Sequence, residues 1–144
     1  MGKDKRNERR KGGGFAALRF DVMDDPAWLS LTACAKALYA VLKRRSFEAG
    51  KKHGEGNGNG HFTLSVREAA AYLNVGKNRA QEVFHELQAH GFIVPVEIGC
   101  FGVEGAGRAT RWRLTEEKWN GRLPTYDYRQ WRPGHDLHVA KGFA

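Results

Sequence analysis

The stretch SVREAAAYLNVGKNRAQEVFHELQAHG, residues 65–91, sets two amphipathic helical patterns end to end with only a tight turn between them. Ser65 and Glu68 have capping-box spacing, in which the hydroxyl takes one orphan amide of the first turn and the carboxylate reaches back to another. A helix is therefore predicted to begin at Val66, with Ala69, Ala70 and Leu73 recurring along its apolar side. The small alanines let a neighbouring helix cross closely. Asn74 tolerates a helix-ending backbone, Val75 anchors the corner and Gly76 is an acceptable N-cap for the second helix. That helix buries Ala80, Val83, Phe84 and Leu87 and stops at Gly91, a length of about 20 Å at roughly 1.5 Å per residue. Neither helix is long enough to stand alone, so both must pack on a larger body.

The exposed side of the second helix carries Lys77, Asn78, Arg79, Gln81, Glu82 and His85. Lys and Arg donate to guanine, Asn and Gln pair bidentately with adenine, and Glu accepts from cytosine N4. All three types gather at the helix N-terminus, the end that enters the major groove in helix-turn-helix proteins, so double-stranded DNA is the expected partner and residues 77–90 the expected reader. Ser65 and Arg67, at the start of the first helix, are expected on the DNA backbone. Glu82 and Glu86 leave the second helix nearly neutral, which suits it to choosing a sequence more than to supplying affinity.

Charge over the whole chain agrees. A formal net charge of +8 on 144 residues implies a polyanionic partner. The length fits one compact domain with tails, able to bury a core without disulfides or metal. No stretch has the apolar length of a spanning helix and none reads as a signal peptide, so no membrane role and a cytoplasmic, nucleoid-associated location are expected. Cys34 and Cys100 are the only cysteines; Cys34 lies on the apolar side of a predicted helix, and no disulfide is indicated.

Residues 1–14 carry six Lys or Arg against two acids and end in three glycines. They are expected to form a flexible basic arm, with Lys3, Lys5, Arg6, Arg9, Arg10 and Lys11 available to phosphates or the minor groove. From Phe15 to Leu29 an apolar piece interrupted by the turn signal Asp24-Asp25-Pro26 is expected to clasp the core. Thr32 reads as the N-cap of a long helix with Ala35, Leu38, Tyr39 and Leu42 on one stripe. Lys43, Arg44 and Arg45 are placed at its exit, where cations suit the helix dipole. Residues 48–60, with five glycines and no large apolar side chain, read as a loop. Their Gly alternation completes neither nucleotide-binding motif. Phe62, Thr63 and Leu64 read as a short strand.

After Gly91, the run 92–98 reads as a strand in which Pro95 must occupy an edge or a bulge. Residues 109–115 then alternate, with Thr110, Trp112 and Leu114 facing one way and Arg111 and Arg113 the other. Two strands joined by the glycine-rich loop 99–107 make a wing, and Arg108, Arg111 and Arg113 are expected to carry it onto phosphates or a minor groove. Residues 116–144 contain Trp119, Tyr126, Tyr128 and Trp131, too aromatic for a disordered tail and too rich in Pro and Gly for a long helix. An irregular extension is expected, packed on the domain or on a second copy; stacking of its rings on unpaired bases is the lesser alternative.

The elements FDVMDDPAWLSLTACAKALY, NGHFTLSVREAAAYLNVGKNRAQEVFHELQAHGFI and RATRWRLTEEKW together resemble the winged helix-turn-helix family, and more narrowly the small regulators and replication proteins of phages, plasmids and mobile elements in proteobacteria. The resemblance spans about Phe15 to Trp131. It implies a mainly α fold with a small β-sheet (α+β): a basic arm over 1–14, a winged helix-turn-helix domain over 15–115 and an aromatic extension over 116–144. It also implies duplex binding by residues 77–90 and by the wing over 99–113. Gly76 departs from the pattern, standing where many relatives place a Ser or Thr that caps the helix and touches phosphate.

Sequence-specific DNA binding in transcriptional regulation is the leading expectation, with plasmid or phage replication initiation and a winged-helix protein-interaction module as alternatives. Catalysis is not expected, nor any cofactor or metal. His135 and His138 have a spacing that allows shared ligation, but no HExxH, CxxC or nucleophile-elbow pattern accompanies them. A homodimer is suggested by the aromatic extension and by the two-fold habit of helix-turn-helix proteins on palindromic sites. A protein partner is a further possibility at the extension.

Overall fold

The computed structural model describes residues 14–52, 61–99 and 109–140. Residues 1–13, with all six cations of the expected arm, and residues 100–108, with Arg108 and most of the expected wing loop, lie outside the described residues. The elements run α1 (Phe20–Met23), α2 (Pro26–Leu29), α3 (Ala33–Lys52), β1 (Phe62–Thr63), α4 (Val66–Leu73), α5 (Lys77–Ala89), β2 (Ile93–Glu97) and β3 (Arg111–Leu114), followed by a 3-10 turn at Asp127–Gln130. The protein is thus helical with one small antiparallel sheet, whose strand order is β1-β3-β2.

The Asp24-Asp25-Pro26 signal is a helix start: the Asp25 carboxylate accepts from the Ala27 amide at 2.9 Å, with Pro26 at the first helical position, where a missing N–H costs nothing. Val22, Ala27 and Trp28 turn inward from α1 and α2.

Helix α3 departs from expectation at its far end. Instead of giving way to a loop after Phe47, it continues to Lys52, so Lys43, Arg44 and Arg45 lie in mid-helix and not at its exit. Glu48, Ala49, Lys51 and Lys52 are strong helix formers, and a single Gly50 at roughly 1 kcal/mol relative to Ala does not outweigh them. Arg44 and Glu48 add an i,i+4 pair at 2.9 Å.

The pair α4 and α5 begins and ends where its local signals lie. Ser65 caps α4, its hydroxyl accepting from the Glu68 amide at 3.1 Å. The reciprocal half of the box is not made. The Glu68 carboxylate accepts instead from the Ser65 hydroxyl at 3.2 Å and from Arg45 of α3 at 2.6 Å, a charged partner that outcompetes a neutral amide. Asn74 ends α4 in the left-handed region at φ 55°, and Gly76 opens α5 with extended backbone.

In the sheet, β3 is central and β2 is an edge strand, with Pro95 directly before a register shift between Pro95 and Glu97. Edge and bulge both accommodate the missing donor. Trp112 and Leu114 are buried, Trp112 stacking on Phe84 of α5 at 5.6 Å between centroids, while Arg111 is exposed on the other face. A second aromatic group joins distant parts of the chain: Phe92 lies 5.8 Å from Trp28, 5.5 Å from Tyr39 and 5.0 Å from Tyr128. Tyr128 and Trp131 of the extension therefore belong to the same core as α2 and α3.

Candidate nucleic-acid interface

At roughly 100° per residue, Lys77, Gln81, His85 and Asn78 share one arc of α5, bounded on one side by the buried residues Ala80, Phe84 and Leu87. All four are exposed, and their side chains make no hydrogen bond or ion pair among the described residues. This arc sits at the first turns of the helix, where free backbone N–H groups add a positive end.

Arg79 and Glu82 stand differently. Arg79 is half-buried on the flank toward α3 and donates to Glu82 at 3.1 Å, an i,i+3 pair within the helix. That bond holds its guanidinium above the ordinary arginine pKa, partial burial opposing and a bond to the Cys34 thiol assisting. The two side chains chosen for guanine and cytosine therefore face each other in the free protein.

One turn further along the same flank, Glu86 is engaged with the start of α3. Its carboxylate accepts from the Thr32 amide at 3.0 Å and from the Thr32 hydroxyl at 2.9 and 3.0 Å. Thr32 in turn accepts from the Ala35 amide at 3.3 Å, so α3 begins on a cap shared between its own threonine and a glutamate 54 residues away. Glu86 keeps its negative charge, which these bonds hold on the flank beside the start of α3 and off the exposed arc.

The far end of α5 is covered. Ala140 donates to the Gln88 side chain at 3.0 Å, Leu137 donates to the Ala89 carbonyl at 2.8 Å, and Trp131 stacks on His90 at 4.6 Å. Gln88 shares the stripe of Lys77 and Gln81, so the extension closes the C-terminal part of that side and leaves its first turns open.

The remaining site residues are dispersed. The Ser65 hydroxyl is occupied by its cap, while Arg67 is exposed with no partner among the described residues. Arg111 lies across the sheet edge near His61 Nε2 at 3.3 Å and Glu97 at 3.8 Å. Arg113 lies on the outer face of β3. It pairs across from Val94 near the hairpin base, donates to the Thr125 hydroxyl at 3.1 Å and lies over the Trp119 ring. Thr32, Glu86, Gln88 and the tail carry no local signal that marks them for this site; only their long-range contacts do.

No family model matches the chain and no curated relative matches it. Solved structures do share its fold. The N-terminal domain of a DNA-binding protein aligns with a TM-score of 0.54 at 18% identity, covering 80% of this chain and 84% of that one. An MDR initiator aligns with a TM-score of 0.51 at 20% identity, over 74% and 80% of the two chains, and a Rep–DNA complex at 0.51 and 18%, over 74% and 78%. The fold is therefore one found among DNA-binding and replication-initiator proteins.

Proposed function

We propose that this chain is a winged helix-turn-helix protein that binds double-stranded DNA sequence-specifically, with α4 and α5 as the helix-turn-helix, β2 and β3 as the wing, and the start of α5 in the major groove. The observation that carries this is the arc Lys77, Asn78, Gln81 and His85: donors and acceptors for base edges, on one face, free of internal partners. No catalysis is assigned to it.

Two of the structures reported above are an initiator and a Rep–DNA complex, which favours origin recognition over control of transcription. Selection of bound fragments from a genomic library, followed by sequencing, tests both levels. A DNA reader enriches one motif, and its affinity falls with salt at a log–log slope of roughly −0.9 per phosphate contacted. Clustered sites near an origin support initiation, and sites over promoters support transcriptional regulation. A chain that shows neither a motif nor a salt slope is a protein-interaction module instead.

A further inference from the structure

Two aromatic rings of the extension are each shared by a pair of arginines, and the two clusters differ in counter-charge. In the first, the Arg19 and Arg129 guanidinium carbons lie 6.0 and 3.9 Å from the Tyr126 centroid, and Asp21 neutralises both, at 2.7 Å from Arg19 and 3.5 Å from Arg129. In the second, Arg113 and Arg122 each lie 5.6 Å from the Trp119 centroid. No carboxylate among the described residues lies within ion-pair distance of either. Arg113 is half-buried with the Thr125 hydroxyl as its hydrogen-bond acceptor, and burial holds its pKa below the ordinary arginine value although Asp127 opposes the shift.

Local structure fixes the pair. Asn120 and Gly121, at φ 49° and 72°, make the kind of turn in which both central residues are left-handed, and Asn-Gly is the dipeptide best suited to it. The turn closes a bridge in which Trp119 and Arg122 exchange both backbone hydrogen bonds, at 3.1 and 2.8 Å. Arg122 is thereby held opposite Trp119, and the indole rests against Arg113 on the outer face of β3. Arg113, half withdrawn from water and with no counter-charge among the described residues, is in an unfavourable arrangement that a bound anion relieves, and Arg122 stands exposed beside the same ring. The planar fork of arginine matches two oxygens of a phosphate.

We propose that Arg113 and Arg122, held on Trp119, form a second phosphate-binding site on the outer face of the sheet, which grips the backbone of duplex DNA flanking the stretch read by α5. That the phosphate belongs to DNA rests on the function proposed above; the oxyanion site itself does not. The net charge of +8 favours a polyanion over an isolated carboxylate as occupant.

Arginine Nε–H resonances, followed by NMR in the full chain, test the site with inorganic phosphate, a non-specific duplex and polyglutamate as separate probes. Arg122→Gln assigns one signal and, because Arg122 is exposed, is expected to leave the thermal midpoint unchanged. Phosphate and duplex are expected to shift both arginines in wild type. In Arg122→Gln the salt slope for duplex binding is expected to fall by about 1 in magnitude, with the selected motif unchanged. Shifts with free phosphate but not with duplex overturn the DNA grip, and shifts with polyglutamate alone overturn it in favour of an acidic protein surface. Failure of phosphate and duplex alike to move either arginine overturns the site. A wild-type chain that binds no duplex refutes the proposed function, and the phosphate titration then decides the oxyanion site by itself.

Discussion

Gln81 and Arg79 stand two positions apart on α5, and the fold gives them different freedom. Gln81 is exposed on the open arc with no internal partner, while Arg79 is tied to Glu82 at 3.1 Å and leans toward α3. Gln81→Ala is expected to cost about 1–3 kcal/mol of discrimination at one base position, measured as the specific-to-bulk affinity ratio. Glu82→Gln should do the opposite for bulk DNA: releasing Arg79 and removing an acid raises affinity for every duplex and narrows the ratio. A Glu82→Gln protein with unchanged bulk affinity would show that the pair has no bearing on binding. The types of these residues were legible in the sequence, because base chemistry depends on side-chain identity. Their pairing was not, because the choice among i,i+3 and i,i+4 neighbours depends on what crowds the flank, here α3 and Cys34. The surroundings of Arg113 were not legible for the same kind of reason. Alternation puts it on the outer face of β3 correctly but does not say that Trp119 and Thr125 fold back over that face.

At the level of elements, signals confined to a few residues carried through. Ser65, Asn74, Gly76 and Gly91 punctuate α4 and α5 where the structure does, and Pro95 sits on an edge beside a bulge. The end of α3 was missed because five glycines pull a composition reading toward a loop, whereas helix propagation weighs each residue in turn. The mutual setting of α3 and α5 had no local signal, since Thr32 and Glu86 are 54 positions apart. That contact sets the two helices together, because the Glu86 carboxylate bonds both the amide and the hydroxyl of Thr32 and so ties α5 to the start of α3. Glu86→Ala and Glu86→Gln remove the same charge, but only the glutamine keeps an acceptor. Glu86→Ala is expected to lose about 1 kcal/mol of stability through loss of its half of the shared cap, and to lose sequence discrimination as well. Glu86→Gln should recover most of both. Equal discrimination in the two variants, measured at matched salt, would reduce Glu86 to a charge effect.

Across the whole molecule, the extension is a working part of the core. It is joined to α3 by a buried polar junction, where Lys43 lies 2.7 Å from Glu117 and 3.1 Å from Glu116, Ser46 donates to Glu117 at 2.5 Å, and Tyr39 bonds Glu116. Burial raises the Glu117 pKa against the pull of Lys43, so the folded chain holds that proton more tightly than the unfolded one. This group's contribution to stability therefore grows as pH falls from neutral through the folded pKa and is complete below the unfolded value near 4.5. For Lys43, burial lowers the pKa, but Glu117 and Glu116 outweigh it and the net shift is upward. Its contribution is present below the unfolded value near 10.5 and is lost as pH rises through the folded one. Denaturant unfolding of wild type against Glu117→Gln from pH 7 to pH 4 should show wild type gaining on the variant toward acid.

The same junction changes what a shortened chain can report about assembly. The aromatic rings that suggested a second subunit are engaged within one chain, Tyr128 against Phe92 and Trp131 against His90, so ending the chain near Trp119 strips a folded core and does not simply expose a monomer. Gly91 offers a finer probe of the attachment. Its φ is +83°, and a Cβ there would lie 2.5 Å from Leu137 Cδ1, 2.7 Å from the Tyr128 nitrogen and 2.8 Å from the Asp127 carbonyl carbon. The leucine methyl can move aside, whereas the two backbone atoms cannot without shifting the 3-10 turn. Left-handed backbone alone costs a non-glycine residue about 1–2 kcal/mol, and the clash adds to it. Gly91→Ala is therefore expected to lose at least about 2 kcal/mol in denaturant unfolding, with the near-UV signal of the extension's aromatic rings altered. Gly76→Ala is the control, since a Cβ there meets nothing within 4 Å and the backbone is ordinary. If Gly91→Ala unfolds no earlier than Gly76→Ala, residues 116–140 do not share the core of α4 and α5. The covered end of α5 would then be open to DNA along its whole length, and the selected motif should lengthen to match.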